Sequence, residues 1–382
     1  MTSFPIPALF CLGFDGTAIP DHLRPLLESS LGGVVLFRRN LQNLSQICRL
    51  TAALHAAAAS PLLIGVDQEG GRVTRLPAPF LTPPAAAVLG ALDDPTLTKD
   101  LTSAVARELR AAGFTWNLAP VLDVNTNRDN PVIGDRALSH DPSRVAHLGA
   151  AIIQGFSDAG ILATAKHFPG HGETAADSHL TLPESPQSSE RWRAIEFVPF
   201  RRAIEVGVPV VLVAHLACPA LDPDAPSSLS HRIITGVLRE ELEFDGVVVS
   251  DDLVMDAIGA RFDLGEAAVR FLEAGGDLVL ICHDPPGQRA AMQAVEIALR
   301  NGRLREERLA SSLDRIARLR KWIEANRTPV DAEAAKAVVG SAEHQQLLRT
   351  ILTKPPLPAA LRSAQAGLAP LSSLNSAWFP LR

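Results

Sequence analysis

Eight apolar runs of strand length, spaced along a 382-residue chain and separated by amphipathic helical patterns, constrain the fold more than any other feature. They lie at residues 8–14, 33–37, 62–66, 115–122, 161–165, 209–214, 246–250 and 277–282. Apolar residues recur at helical spacing between them, over 44–58, 96–112, 143–159, 191–206, 235–243 and 264–274. Short continuous apolar strands buried on both faces, alternating with helices, predict an α/β fold, and eight such units predict a closed (β/α)8 TIM-type barrel rather than an open sheet. The runs end in polar residues: Asp15, Arg38 and Arg39, Asp67, Asp123, Lys166 and His167, His215, Asp251, His283 and Asp284. Barrel enzymes build their sites on that face.

Helical patterns continue over 288–299 and 305–325, which puts the barrel domain at residues 1–326. Residues 327–382 read as a C-terminal extension: one more helix over 331–353, then a Pro-, Ser- and Ala-rich tail. With 36 basic and 42 acidic side chains the net charge is −6, and no basic stripe offers itself to nucleic acid. No run approaches the roughly 20 apolar residues of a membrane span, and the first residues lack an export pattern. Cys11, Cys48, Cys218 and Cys282 are far apart, without a CxxC pair. A soluble cytoplasmic protein is the expectation.

The densest chemistry is KHFPGHGETAADSHLTLP at 166–183, which brings Lys166, His167, His171, Asp177 and His179 into a long turn-rich connection behind an apolar run. Three other segments stand at strand ends or in loops: VDQEGGRVTR at 66–75, NPVIGDR at 130–136 and VVVSDDLVM at 247–255. Together and in this order they resemble the family-three glycoside hydrolases, specifically the β-N-acetylglucosaminidase branch of bacterial peptidoglycan recycling. The resemblance covers most of residues 8–326.

That resemblance implies a retaining exo-acting enzyme that removes terminal non-reducing N-acetylglucosamine from muropeptide fragments. It implies Asp251 as the nucleophile that forms a covalent glycosyl-enzyme, and His179 as acid/base held by Asp177. It carries over Asp67, Arg75, Arg136, Lys166 and His167 as sugar-binding groups, and it calls for no cofactor and no metal. The physics is workable, since a retaining glycosidase needs a carboxylate beneath the anomeric carbon and an imidazole titrates near neutrality. Asp123 and His215 read as supporting groups. Glu173, and Ala137 with Leu138, depart from the Asp and Ser-Phe more usual in the branch.

Spacing alone leaves plainer readings open. Asp251 and Asp252 are equally suited to capping the next helix, and Asp-Ser-His equally suits a solvated turn. Phosphorolysis and β-glucoside hydrolysis belong to the same family chemistry. A metal-dependent hydrolase using His167, His171 and His179 is the rival of another class, although Pro169 and Gly170 break the helix that would align the first two. Aglycone and oligomeric state are not encoded in any motif.

Overall fold

The computed structural model describes residues 4–175 and 182–355. Its strands are Phe10–Leu12 (β1), Gly33–Leu36 (β2), Leu63–Val66 (β3), Trp116–Asn117 (β4), Thr164–Phe168 (β5), Val210–Val213 (β6), Val247–Ser250 (β7) and Val279–Ile281 (β8), all buried along their length. Every pairing between them is parallel, in two arcs ordered β4-β3-β2-β1-β8 and β5-β6-β7. Single parallel bridges join the arcs: Trp116 to Leu162 and Val121 to Lys166 at one seam, Val249 to Leu278 at the other. The strands therefore follow one another round a TIM-type barrel in chain order, as the alternating pattern predicts.

The strands read as continuous apolar runs because both of their faces are occupied, by the barrel interior and by the helices outside. Gly65 on β3 shows how tightly the interior is filled: a Cβ there would come 2.7 Å from the Trp116 ring. Trp116 itself is fully buried, and its indole N–H donates to Thr164 Oγ1 at 2.5 Å. Fully burying an aliphatic side chain contributes about 1.5–3 kcal/mol, and the core contains many of them.

The outer helices begin where the chain supplies caps. Asn43, Asp94, Asp141 and Asp263 accept N–H groups at the starts of helices Leu44–Ala57, Pro95–Ala111, Pro142–Asp158 and Leu264–Ala274. Pro95 and Pro142 occupy the first turn, where no N–H is needed. Helices Pro285–Arg300 and Glu306–Asn326 follow the last strand. At the base of the barrel buried Asp277 holds this end of the chain: it accepts Val248 N–H at 2.9 Å and Ser312 Oγ at 2.6 Å, pairs with Arg239, and has Arg315 at 3.3 Å and Arg308 at 3.8 Å.

The extension departs from the single helix expected over 331–353. It forms two, Ala332–Val338 and Ala342–Thr353. Gly340 between them has φ +69°, outside the helical region, and Ser341 restarts the chain by accepting His344 N–H. Both helices pack on the barrel, the first against Leu44–Ala57 and Pro95–Ala111 and the second against Pro95–Ala111. No helix among the described residues is long and apolar enough to cross a membrane.

Candidate active site

A cavity of about 480 Å³ opens at the C-terminal ends of the strands. Asp67 and Glu69 enter it from the segment after β3, Lys166 and His167 from β5, Asp251 and Asp252 from the end of β7, and Arg75 and Arg136 from the loops between. A cavity of similar size, about 490 Å³, lies on the flank between Pro95–Ala111 and the extension, away from the strand ends.

Lys166 and His167 are sequence neighbours, and in a regular strand they would point to opposite faces. Here Ala165 pairs with Val211 but Phe168 with Val213, so three steps of β5 span two of β6. That bulge lets both side chains line the cavity. The two glycines that follow are required by close approach. A Cβ on Gly172 would lie 1.9 Å from the Val124 carbonyl oxygen, and Gly170, at φ +138°, would drive one to 2.8 Å from Glu196 Cγ.

Charge is paired throughout the inner wall. Arg136 grips Glu69 with two bonds of 2.8 Å. Lys166 Nζ lies 2.6 Å from Glu69 and 2.9 Å from Asp67, with Arg75 at 3.9 Å from the other Asp67 oxygen. Burial pushes the Glu69 carboxyl up, but Arg136 and Lys166 more than reverse this and hold it well below the carboxylate range. For the same reason Arg136 and Lys166 stay firmly charged despite their burial.

His167 is oriented from behind. Its Nδ1 meets Asp123 at 2.6 Å, which leaves Nε2 to accept from Arg136 at 3.4 Å. Asp123 also accepts the His171 N–H at 2.6 Å; burial pushes its pKa up, but His167 and that N–H bring it below the ordinary value. His171 Nδ1 meets Thr174 Oγ1 at 2.6 Å, and burial lowers its pKa to about 4, so it is neutral at physiological pH. Among the described residues no group of three or more His, Cys, Asp or Glu is placed to hold a metal ion. His179, the third histidine of the metal reading, and Asp177 lie outside the described residues.

The paired aspartates at the end of β7 have different surroundings. Asp252 is a framework group: its Oδ1 accepts Cys282 N–H at 3.1 Å and Val254 N–H at 3.3 Å, tying β7 to the end of β8, and burial raises its pKa. Asp251 faces the cavity. Its Oδ1 accepts only a backbone N–H, from Asp252 at 2.9 Å, and among the described residues no cation lies within ion-pair distance. Burial raises its pKa, yet His215, His167, that N–H and Lys166 bring it below the ordinary value. It is thus an ionised carboxylate at the floor of a polar cavity, the state a nucleophile needs.

All five residues expected to bind sugar meet Asp251 in this cavity. Reading the sequence for site residues left out Glu69, although it stands two positions after Asp67 and so on the same side of an extended segment. The larger roles of Asp123 and Asp252 as supports depend on contacts across 44 and 30 residues of chain, which spacing does not reveal.

The model of the glycosyl hydrolase family 3 N-terminal domain matches residues 13–319. The chain belongs to glycosyl hydrolase family 3. A β-hexosaminidase of Alkalilimnicola ehrlichii is 39% identical over 328 residues, which covers 83% of this chain and 94% of the relative. The solved structure of a family 3 β-N-acetylglucosaminidase from Paenibacillus sp. str. FPU-7 is 40% identical with a TM-score of 0.85, covering 91% of this chain and 67% of that one. A β-N-acetylhexosaminidase from Beutenbergia cavernae is 29% identical with a TM-score of 0.77, covering 83% and 97%. The family 3 protein described here is a glycoside hydrolase, and its cavity lies where barrel enzymes carry their chemistry.

Proposed function

We propose that this family 3 hydrolase is a retaining exo-β-N-acetylglucosaminidase, acting on terminal non-reducing N-acetylglucosamine of muropeptide fragments in the cytoplasm. The observation that carries the mechanism is the contrast at 251–252: Asp252 is bound into the framework, while Asp251 is ionised, faces the cavity and has no described cation to neutralise it. In this reading Asp251 attacks the anomeric carbon as the glycosidic oxygen leaves with a proton from His179, which Asp177 orients. His179 then takes a proton from water, and hydroxide displaces Asp251 from the glycosyl-enzyme with net retention.

Asp67, Arg75, Arg136, Lys166 and His167 hold the sugar. Asp67 offers a carboxylate that accepts from hydroxyls. Lys166 and Arg136 supply donors already fixed by Glu69, and His167 is locked by Asp123. Support for the substrate comes from the relatives named β-hexosaminidase and β-N-acetylglucosaminidase.

The test compares p-nitrophenyl β-glycosides of N-acetylglucosamine and glucose, with and without phosphate, on the wild type and Asp251→Ala. The N-acetylglucosaminide is expected to be cleaved preferentially to free sugar, and Asp251→Ala to lose about a thousandfold or more in kcat with an unchanged Tm. Sugar phosphate as product, glucoside preference, or an active Asp251→Ala variant would each reject the corresponding part.

A further inference from the structure

The extension reaches the sugar-binding loop through one buried carboxylate. Glu108 sits on the inner side of helix Pro95–Ala111 and is almost wholly enclosed. Its Oε1 accepts Gly340 N–H at 2.9 Å and meets His344 Nδ1 at 2.7 Å, both from the extension. Its Oε2 accepts Leu81 N–H at 2.6 Å. Leu81 closes the loop that leaves β3, and its carbonyl accepts from Gln68 Nε2 at 3.4 Å. The Gln68 carboxamide oxygen in turn accepts Arg75 N–H at 3.0 Å and Leu76 N–H at 3.4 Å. Gln68 lies between Asp67 and Glu69, and its backbone is pinned at both groups by the Asn117 side chain at 3.0 Å.

A second contact runs alongside. Gly340 stands so close to the loop that a Cβ would come 2.4 Å from the Pro79 carbonyl oxygen. If the extension served only to cover apolar surface, a buried carboxylate would be an expensive way to do it, since desolvation must be offset bond by bond. Glu108 has both oxygens filled, one by the extension and one by the loop, which is the arrangement expected of a spacer that sets the distance between them.

We propose that His344 and Glu108 are positioning residues for sugar binding: through Leu81 and Gln68 the docked extension fixes the 67–81 loop, and with it Asp67 and Arg75. The proposal rests on the assignment of Asp67 and Arg75 to the sugar given above. It assigns the helical extension a part in the active site rather than in stability alone.

The test pairs kinetics with amide hydrogen exchange on the full chain. His344→Ala is expected to raise KM for the aryl N-acetylglucosaminide at least about fivefold with a smaller change in kcat, as lost ground-state binding requires. Amides in 75–81 should exchange about tenfold faster or more, while those of β7 keep their rates. His344→Asn, which places an N–H donor near the lost Nδ1, should recover most of both effects. Ile316→Ala, a buried change in helix Glu306–Asn326, serves as a control for destabilisation at comparable loss of Tm. A His344→Ala variant whose KM and 75–81 exchange match this control would overturn the proposal. If the wild type cleaves no N-acetylglucosaminide, the substrate assignment fails on its own, and the exchange comparison still decides whether the extension holds the loop.

Discussion

Asp251 and Asp252 are adjacent in sequence, and the bonds they make separate them: backbone N–H groups of two segments fix Asp252, while Asp251 lines the cavity and accepts one backbone N–H. The companion group in the proposed mechanism is His179, and leaving-group dependence tests it. In His179→Ala, formation of the glycosyl-enzyme should be spared for activated aryl glycosides, which leave without a proton, and severely slowed for alkyl or sugar aglycones, by about a hundredfold or more. Azide should restore turnover by replacing water in the second step. Asp177→Ala should give a milder version, because it orients the imidazole without transferring the proton itself. Equal losses on all leaving groups, with chelation of the wild type reproducing the defect, would favour the metal reading instead.

At the scale of elements, the connection after β5 returns to the barrel through a helix built in three pieces, Ser189–Arg191, a wide-turn segment Trp192–Glu196, and Phe197–Glu205. Arg191 bridges Glu173 at 3.1 Å and Glu196 at 3.3 Å, so the residue that departs from the family's usual Asp at 173 is held by the helix that follows. Glu196 is buried with its second oxygen unpartnered, and burial, reinforced by Glu173 and Asp123 against the pull of Arg191, raises its pKa to about 7. Between the ordinary carboxyl range and that value, the folded chain holds a proton that the unfolded chain has released. Glu196 therefore favours the fold at acid pH, and that advantage is lost as pH rises through about 7. At 1.36 kcal/mol per unit the span is about 3 kcal/mol. Glu196→Gln should gain stability over the wild type at pH 8 but not at pH 4, by denaturant titration at both; parallel profiles would refute the assignment. The helices at 44–57, 95–111, 142–158 and 264–274 were legible almost to the residue, because each carries a cap and a clean apolar stripe. The split at Gly340 was not, since Ala-rich flanks favour helix on both sides and the break depends on contact with Pro79.

For the whole molecule, the two ends of the barrel do different work. The strand order was legible because buried parallel strands write themselves as uninterrupted apolar runs, and the mouth was legible because nearly every run is followed at its C-terminal end by polar residues. The latch at the other end was not, because Asp277 gathers Arg239 from 38 residues earlier in the chain and Arg308 and Arg315 from helix Glu306–Asn326. Asp277→Asn should remove the buried carboxylate that the partly buried arginines share and cost about 3 kcal/mol, seen as a lowered Tm, with kcat and KM at low temperature unchanged; altered KM would show that the base communicates with the mouth. The mouth itself has a different economy of charge. Glu69 is shared between Arg136 and Lys166, and Asp67 is set against Lys166 and Arg75, so the charges of that wall answer one another at short range. In the proposed reading it selects by the direction of its hydrogen bonds, so a neutral acetamido sugar would displace water there without a net charge to bury, whereas the carboxylate of a uronic acid would add a like charge beside the unneutralised Asp251.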